Sequence, residues 1–313
     1  MKTRAIVINH FGGKEELTES TVELPELKPK QVVVKVHATS INPIDWKTRE
    51  GYLRKMFDWD FPIILGWDVA GVIEAVGEAV SDWQVGDRVF ARPASTRFGT
   101  YADQTIVDSD QLATIPQGIS FKEAAAVPLA GLTAYQALFD HGQLAAGQKV
   151  LIHAGAGGVG SFAIQLAKEK GAFVYTTASQ KNHPLVKKLG ADVAIDYQSE
   201  DFTEVVKDAD LVFDTLGGAI QQASLQVLKP GGRLISVLGI QDEQLASEKH
   251  IHAEAVWLQP NGKQLQELAE LMAAGKLVSV IGAEFPLTQQ GVFEAHALSE
   301  THHAVGKIVL TND

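Results

Sequence analysis

The chain has 313 residues, 45% of them hydrophobic, a net charge of -11 and no cysteine. That length exceeds the size at which a single core keeps growing, so two domains are expected. Excess carboxylate excludes nucleic acid or an anionic membrane as the principal partner, and the absence of cysteine excludes disulfides, thiolate nucleophiles and sulfur-ligated zinc.

The N-terminal MKTRAIVINHFGG carries an apolar run too short for a signal peptide, and no segment approaches the roughly 20 apolar residues of a spanning helix. This predicts a soluble, cytoplasmic protein with no membrane insertion. The first 120 residues read mainly as strands, at 5–8, 31–38, 69–76, 88–91 and 101–107, separated by Pro, Gly and Asp signals. Short strands at irregular spacing suggest a barrel. From residue 121 the texture becomes alternating: a helical AAAVPLAGLTAYQALF, a strand at 149–153, a helix to 170, a strand at 172–177 and a helix over 184–189. Further strands are expected at 193–196, 211–214 and 233–238, a sixth near 251–258, then a helix over 263–274. Alternation of this kind means βαβ units and a parallel sheet, and the apolar runs at 211–213 and 234–238 suit strands buried on both faces. Two short strands remain, at 277–281 and 307–310, and are assigned back to the first domain because they cannot extend a parallel sheet without crossovers. The predicted fold is α/β, with a barrel domain over 1–120 and 276–313 and a doubly wound domain over 121–275. No internal repeat or low-complexity segment is present.

Between the strand at 149–153 and the following helix stands Gly155-Ala156-Gly157-Gly158-Val159-Gly160, which satisfies G-x-G-x-x-G in its confirming context. Gly155 makes the turn, Gly157 admits a pyrophosphate, and Gly160 lets helix and strand close up; Gly158 and Val159 open the helix. A dinucleotide cofactor is therefore expected. An NAD site usually places a carboxylate about 20 residues after the loop begins. Here no acid lies between Glu169 and Asp192, while Ser179 and Lys181 offer a hydroxyl and a cation to a 2′-phosphate. NADPH is favoured, with a merely solvated turn as the other reading of these two residues.

Leu65-Gly66-Trp67-Asp68-Val69-Ala70-Gly71-Val72-Ile73, the Val85-Gly86-Asp87-Arg88-Val89 turn, Gly131-Leu132-Thr133-Ala134-Tyr135 and the AGAGGVG loop occur here in one order. Together they resemble the medium-chain dehydrogenase/reductase superfamily, and within it the zinc-independent NADPH:quinone oxidoreductase, or zeta-crystallin-like, branch. The resemblance runs over nearly the whole chain. It implies a GroES-like β-barrel catalytic domain, a Rossmann domain, a cleft between them for nicotinamide and substrate, and a homodimer paired near 250–258. Where zinc-dependent members read G-H-E, this chain reads Gly66-Trp67-Asp68, so no metal is expected. Without a Lewis acid, simple ketones and alcohols are poor candidates, whereas a quinone or an α,β-unsaturated carbonyl is already electron-poor.

The resemblance also singles out residues. Asn42, Asp45 and Tyr52 lie in and after an N-x-x-D segment: Asn42 to hold the nicotinamide, Asp45 or Tyr52 to orient substrate or relay a proton. An Asx turn with Asp45 as a helix cap explains Asp45 equally well. Thr133 matches a cofactor-proximal position, or is a helix hydroxyl bonding back to the previous turn. Tyr197 matches an aromatic near the adenosine phosphate, or is a surface tyrosine. Trp67 is expected to pack in the core or wall the substrate cleft, and His153, at the strand end before the glycine loop, to abut the cofactor or be an ordinary strand-end histidine. His250, His252, His302 and His303 lack the spacing of a metal set. The expected activity is hydride transfer from NADPH to a quinone, with a 2-alkenal or enone double-bond reductase and a non-catalytic NADPH-binding regulator as alternatives.

Overall fold

The computed structural model describes residues 1–312, and it divides into two compact units, Met1–Ala130 with Pro260–Asp313, and Gly131–Gln259. In the first unit, β1 (Lys2–Ile8) pairs antiparallel with β2 (Thr18–Glu23) and, at its end, with β4 (Ile63–Ile64). The larger sheet is built on β3 (Gln31–Ser40), whose valines are buried while Lys35 faces outward, the alternation of a half-covered strand. After β3 comes α1 (Pro43–Arg49), started by Pro43 at its first turn. Strands β5 (Val69–Val76), β6 (Arg88–Ala91), β7 (Gln104–Asp108) and β8 (Leu112–Thr114) follow, then α2 (Phe121–Ala125) and α3 (Pro128–Tyr135). β5 lies along one side of β3, and β7 along the first half of the other.

The second unit holds β9 (Lys149–Ile152), α4 (Gly158–Glu169), β10 (Phe173–Ala178), α5 (His183–Lys188), β11 (Val193–Asp196) and α6 (Phe202–Val205). β12 (Ala209–Asp214), α7 (Gly218–Ser224), β13 (Leu228–Ser236), α8 (Glu243–Glu248) and β14 (His252–Ala255) complete it. The six strands are parallel in the order β11-β10-β9-β12-β13-β14, so the chain reverses direction of growth at β9. Ligands of such sheets bind beyond the carboxyl ends of the strands at that reversal, which is where the glycine loop lies. Val150, Leu151, Ile152, Val212 and Phe213 are fully buried, as the continuous apolar runs require.

The chain then returns to the first unit with α9 (Gly262–Ala273), β15 (Ile281–Pro286), α10 (Gln289–Glu300) and β16 (Lys307–Thr311). β16 takes over from β7 along the second half of the same side of β3.

The boundaries differ from those expected at 120/121 and 275/276, and packing explains the difference. Phe121 stacks on His37 at 4.4 Å, which binds α2 to the strands of the first unit. Gly262 lies so close to the 110–112 backbone that a Cβ would come within 2.4 Å of the Asp110 oxygen, and Gln266 accepts from Thr114 N–H at 3.0 Å, which binds α9 there too. The single helix expected over AAAVPLAGLTAYQALF is broken at Pro128, which has no N–H and disfavours a helical residue before it. Beyond α3 the chain widens into a π turn over Gln136–His141. The strand expected at 277–281 stands at Ile281–Pro286 instead, because Leu277 is buried and the Ser279 hydroxyl is tied to the Glu123 carbonyl at 2.7 Å.

Candidate functional site

The dinucleotide candidates all belong to the second unit. β9 runs into the glycine loop, where Ala154 adopts a φ of 52° and the Gly155 N–H reaches back to the Thr177 carbonyl at 3.0 Å. A Cβ on Gly155 would sit 2.0 Å from Thr176 Oγ1, and one on Gly160 would sit 2.3 Å from the Ala154 carbonyl oxygen. Neither glycine leaves room for a side chain: Gly155 is crowded by Thr176 of β10 and Gly160 by the loop's own backbone. Gly157, Gly158 and Val159 form the first turn of α4, a twelve-residue helix whose opening N–H groups and dipole favour an anion. At the end of β10, Ser179 starts a short turn, its hydroxyl accepting from the Asn182 amide at 3.1 Å, and Lys181 is exposed. No carboxylate stands on that strand end. The neighbouring Asp196, at the end of β11, has its oxygens engaged by Ser199 Oγ and the Gln198 N–H, and its carboxyl is held below the usual range chiefly by the Ser199 hydroxyl. These residues fit a dinucleotide carrying a 2′-phosphate. Tyr197 follows β11 and is 53% exposed, so its ring is available as a stacking face; Thr133 is buried in α3.

His153, the last residue before the loop, is 1% exposed. Ser224 Oγ donates to the Ile220 carbonyl, so it accepts from His153 Nε2 at 2.9 Å, while Thr177 Oγ1 donates to Nδ1 at 3.2 Å. Burial pushes this imidazole down to about 4, so it is neutral and braces the strand end.

The first unit contains a second polar core. Asp68, fully buried before β5, accepts from Ser40 Oγ at 2.6 Å, Asn42 Nδ2 at 2.7 Å and the Leu129 N–H at 2.7 Å. Lys307, at the start of β16, donates to Asn42 Oδ1 and to the Ile41 carbonyl, and lies 3.5 Å from Asp68 Oδ2. Burial lowers the Lys307 ammonium from its ordinary value, opposed by Asp68 and Asp45. Asn42 thus has both ends of its amide fixed, with one Nδ2 hydrogen left.

Asp45, one turn into α1, accepts from the Asn42 N–H and the Tyr101 hydroxyl, each at 2.8 Å, both through Oδ2; Oδ1 is buried with no partner. Burial pushes its carboxyl up to about 7. Asp45 caps the Asn42 N–H as the local reading allows, and the Asn42 amide is also bonded to Asp68 and Lys307. Tyr52 is 68% exposed, with its ring edge-on to Trp46 at 6.4 Å, apart from the Asn42–Asp45 core. Gly66 (φ 85°) lets the Tyr101 ring come so near that a Cβ would sit 2.4 Å from it.

Trp67 fills the core at 0% exposure and donates from Nε1 to the Thr96 carbonyl at 3.2 Å, which settles it as packing. The polar groups gathered on the adjacent Asp68 are Ser40, Asn42 and the Lys307 ammonium, a donor set with a built-in cation that does not fit a divalent metal. Among the described residues no three His, Asp or Glu side chains converge as a metal set. Sequence reasoning missed Asp68, Tyr101, His296, Arg49, Arg92 and Lys307 as parts of this core. Arg92 in the 92–99 loop is 3% exposed, bonds the Pro93 carbonyl and Ser95 Oγ, and is pushed down to about 10 by burial.

Comparison with known proteins agrees with this architecture. Residues 28–130 match the alcohol dehydrogenase GroES-like domain and residues 189–310 the zinc-binding dehydrogenase domain. The chain is 36% identical, over 98% of its length and 79% of the relative's, to the NADPH-dependent alkenal/one oxidoreductase of Arabidopsis thaliana. It is 32% identical to a chloroplast envelope quinone oxidoreductase homolog of the same plant, over 96% of each chain. The solved quinone oxidoreductase of Coxiella burnetii superposes with a TM-score of 0.92 at 37% identity, covering 100% of both chains. The chain belongs to the medium-chain dehydrogenase/reductase superfamily of oxidoreductases.

Proposed function

We propose that this protein is an NADPH-dependent reductase of quinones that works without a metal. The observation that carries the cofactor is the glycine turn of β9 and α4 together with the carboxylate-free end of β10 bearing Ser179 and Lys181. Bound there, NADPH supplies a hydride. The chain's own part is to cradle the pyrophosphate on the opening N–H groups of α4, to neutralise the 2′-phosphate with Lys181 and to offer Tyr197 as a stacking surface. In the first unit, Asn42 is the residue we assign to the reacting groups, its amide preset by Asp68 and Lys307.

The metal-free reading is supported by the lysine that stands among the polar groups at the segment where zinc enzymes place a ligand. An acceptor reduced without a Lewis acid has to be electron-poor, which favours a quinone. The enone reading is supported by the alkenal/one oxidoreductase relative. Steady-state kinetics with a naphthoquinone, a 2-alkenal and a simple ketone tests the choice. The proposal expects the quinone to have the highest kcat/KM and the ketone to be inert; a 2-alkenal faster than the quinone makes the enzyme a double-bond reductase. NADPH binding with no acceptor reduced would leave a regulator.

A cytoplasmic homodimer belongs to the same proposal. β14 is the outer strand of the six-stranded sheet and is half-exposed, with Trp257 45% exposed just beyond it. No helix among the described residues is long and apolar enough to cross a membrane. Light scattering is expected to give twice the 33.7 kDa chain mass.

A further inference from the structure

α1 presents Asp45 and Arg49 one turn apart on one face, and α10 presents His296 and Glu300 at the same spacing. The two pairs meet. Arg49, fully buried, donates from Nη1 to Glu300 Oε1 at 2.7 Å and to His296 Nδ1 at 3.0 Å, from Nη2 to Glu50 at 2.9 Å and from Nε to the Gly12 carbonyl at 3.1 Å. A guanidinium only donates, so His296 Nδ1 accepts and the ring's hydrogen is on Nε2. Nε2 then donates to the Tyr101 oxygen at 3.3 Å, and the Tyr101 hydroxyl has one direction left, toward Asp45 Oδ2 at 2.8 Å. Burial and Arg49 push His296 down to about 3, which keeps it in this neutral state. Tyr101 is held well above its ordinary value by burial and Asp45, so it keeps its proton.

We propose that Arg49, His296 and Tyr101 form a one-way hydrogen-bond chain that fixes Asp45 and, through the Asp45 bond to the Asn42 N–H, the Asn42 amide: Tyr101 and His296 are positioning residues of the reductase. This deepens the reading above and rests on it for its catalytic part. The charged and titratable groups that act on Asp45 are Tyr101 before β7, Asp68 before β5, Lys307 from β16 and Arg92 after β6, while Arg49 of α1, Glu50 just after it, and His296 and Glu300 of α10 stand behind Tyr101 in the chain. Neither state of Asp45 is well satisfied. Ionised, it leaves a buried Oδ1 without a donor; protonated there, it leaves a hydroxyl without an acceptor.

The test follows the carboxylic-acid C=O infrared band of the whole protein across neutral pH in wild type, Asp45→Asn and Tyr101→Phe, alongside the pH profile of kcat/KM for a quinone. The expected result is a band that titrates near neutrality, is absent from Asp45→Asn, and moves up by about one pH unit in Tyr101→Phe, because one hydrogen bond to the charged form is lost. The kinetic inflection is expected to move with it. If Tyr101→Phe fails to fold, His296→Asn, which keeps an acceptor for Arg49 but lacks the ring's Nε2 donor, is expected to shift the band in the same direction by less. A band that titrates identically in the variants, or a kinetic inflection that stays put while the band moves, overturns the proposal. Absence of turnover with every acceptor defeats the reductase reading instead, and the infrared result still decides the chain.

Discussion

Substitution of Asp68 is expected to be costly, because its carboxylate gathers Ser40 and Asn42 from the β3–α1 corner, Leu129 from α3 and Lys307 from β16. Asp68→Ala strands a lysine that is 3% exposed, and the loss is expected to be about 3–5 kcal/mol in urea unfolding. Adding Lys307→Met removes the stranded charge and is expected to restore much of that stability; a double variant as unstable as Asp68→Ala would show that the ammonium was not the cause. In the second unit, Lys181 is exposed, and the proposed function assigns it to the 2′-phosphate. Lys181→Glu is expected to weaken NADPH binding about tenfold or more while leaving NADH nearly unchanged, read by fluorescence titration of both. Equal weakening of both would move the 2′-phosphate elsewhere.

Among the elements, β9 with its following turn carries the most checkable pH effect. His153 has a folded pKa of about 4 against an ordinary 6.5, so between those values the unfolded chain binds a proton that the folded unit refuses. Its contribution to stability is full above pH 6.5 and is lost as pH falls toward 4, amounting to roughly 3 kcal/mol. Protection factors of the β9 amides, which divide out the slower intrinsic exchange at low pH, are expected to fall as pH drops through that window, and a His153→Gln variant to show a flatter dependence. This turn was also the most legible part of the sequence, because glycine spacing, an apolar strand and an amphipathic helix are all local signals. α10 gave no such signal: its apolar residues Val292 and Ala295 share the buried face with His296, so hydrophobic periodicity is weak there. With α10 unseen, the Arg49–His296–Tyr101–Asp45 chain was out of reach, since it joins residues about 250 positions apart, as Arg49 and His296 are. The Asn42–Asp45 segment was legible as a motif; that Asp45 faces inward to Tyr101 is decided by tertiary packing.

At the scale of the whole molecule, the change from irregular strands to βα alternation located both units. The boundaries moved because α2 and α9 pack on strands of the first unit, and pattern alone cannot say against which sheet a helix lies. The chemistry follows from the combination: a dinucleotide turn in one unit, and in the other a polar core holding a lysine and no metal donor set. The central claim is metal-free use of NADPH, and the measurement that tests it most directly is the rate of NADPH oxidation by a naphthoquinone, with NADH in parallel, before and after exhaustive chelation. The account predicts turnover with NADPH that greatly exceeds that with NADH and is unchanged by the chelator. Loss of activity on chelation, restored by zinc, or equal use of NADH, would contradict it.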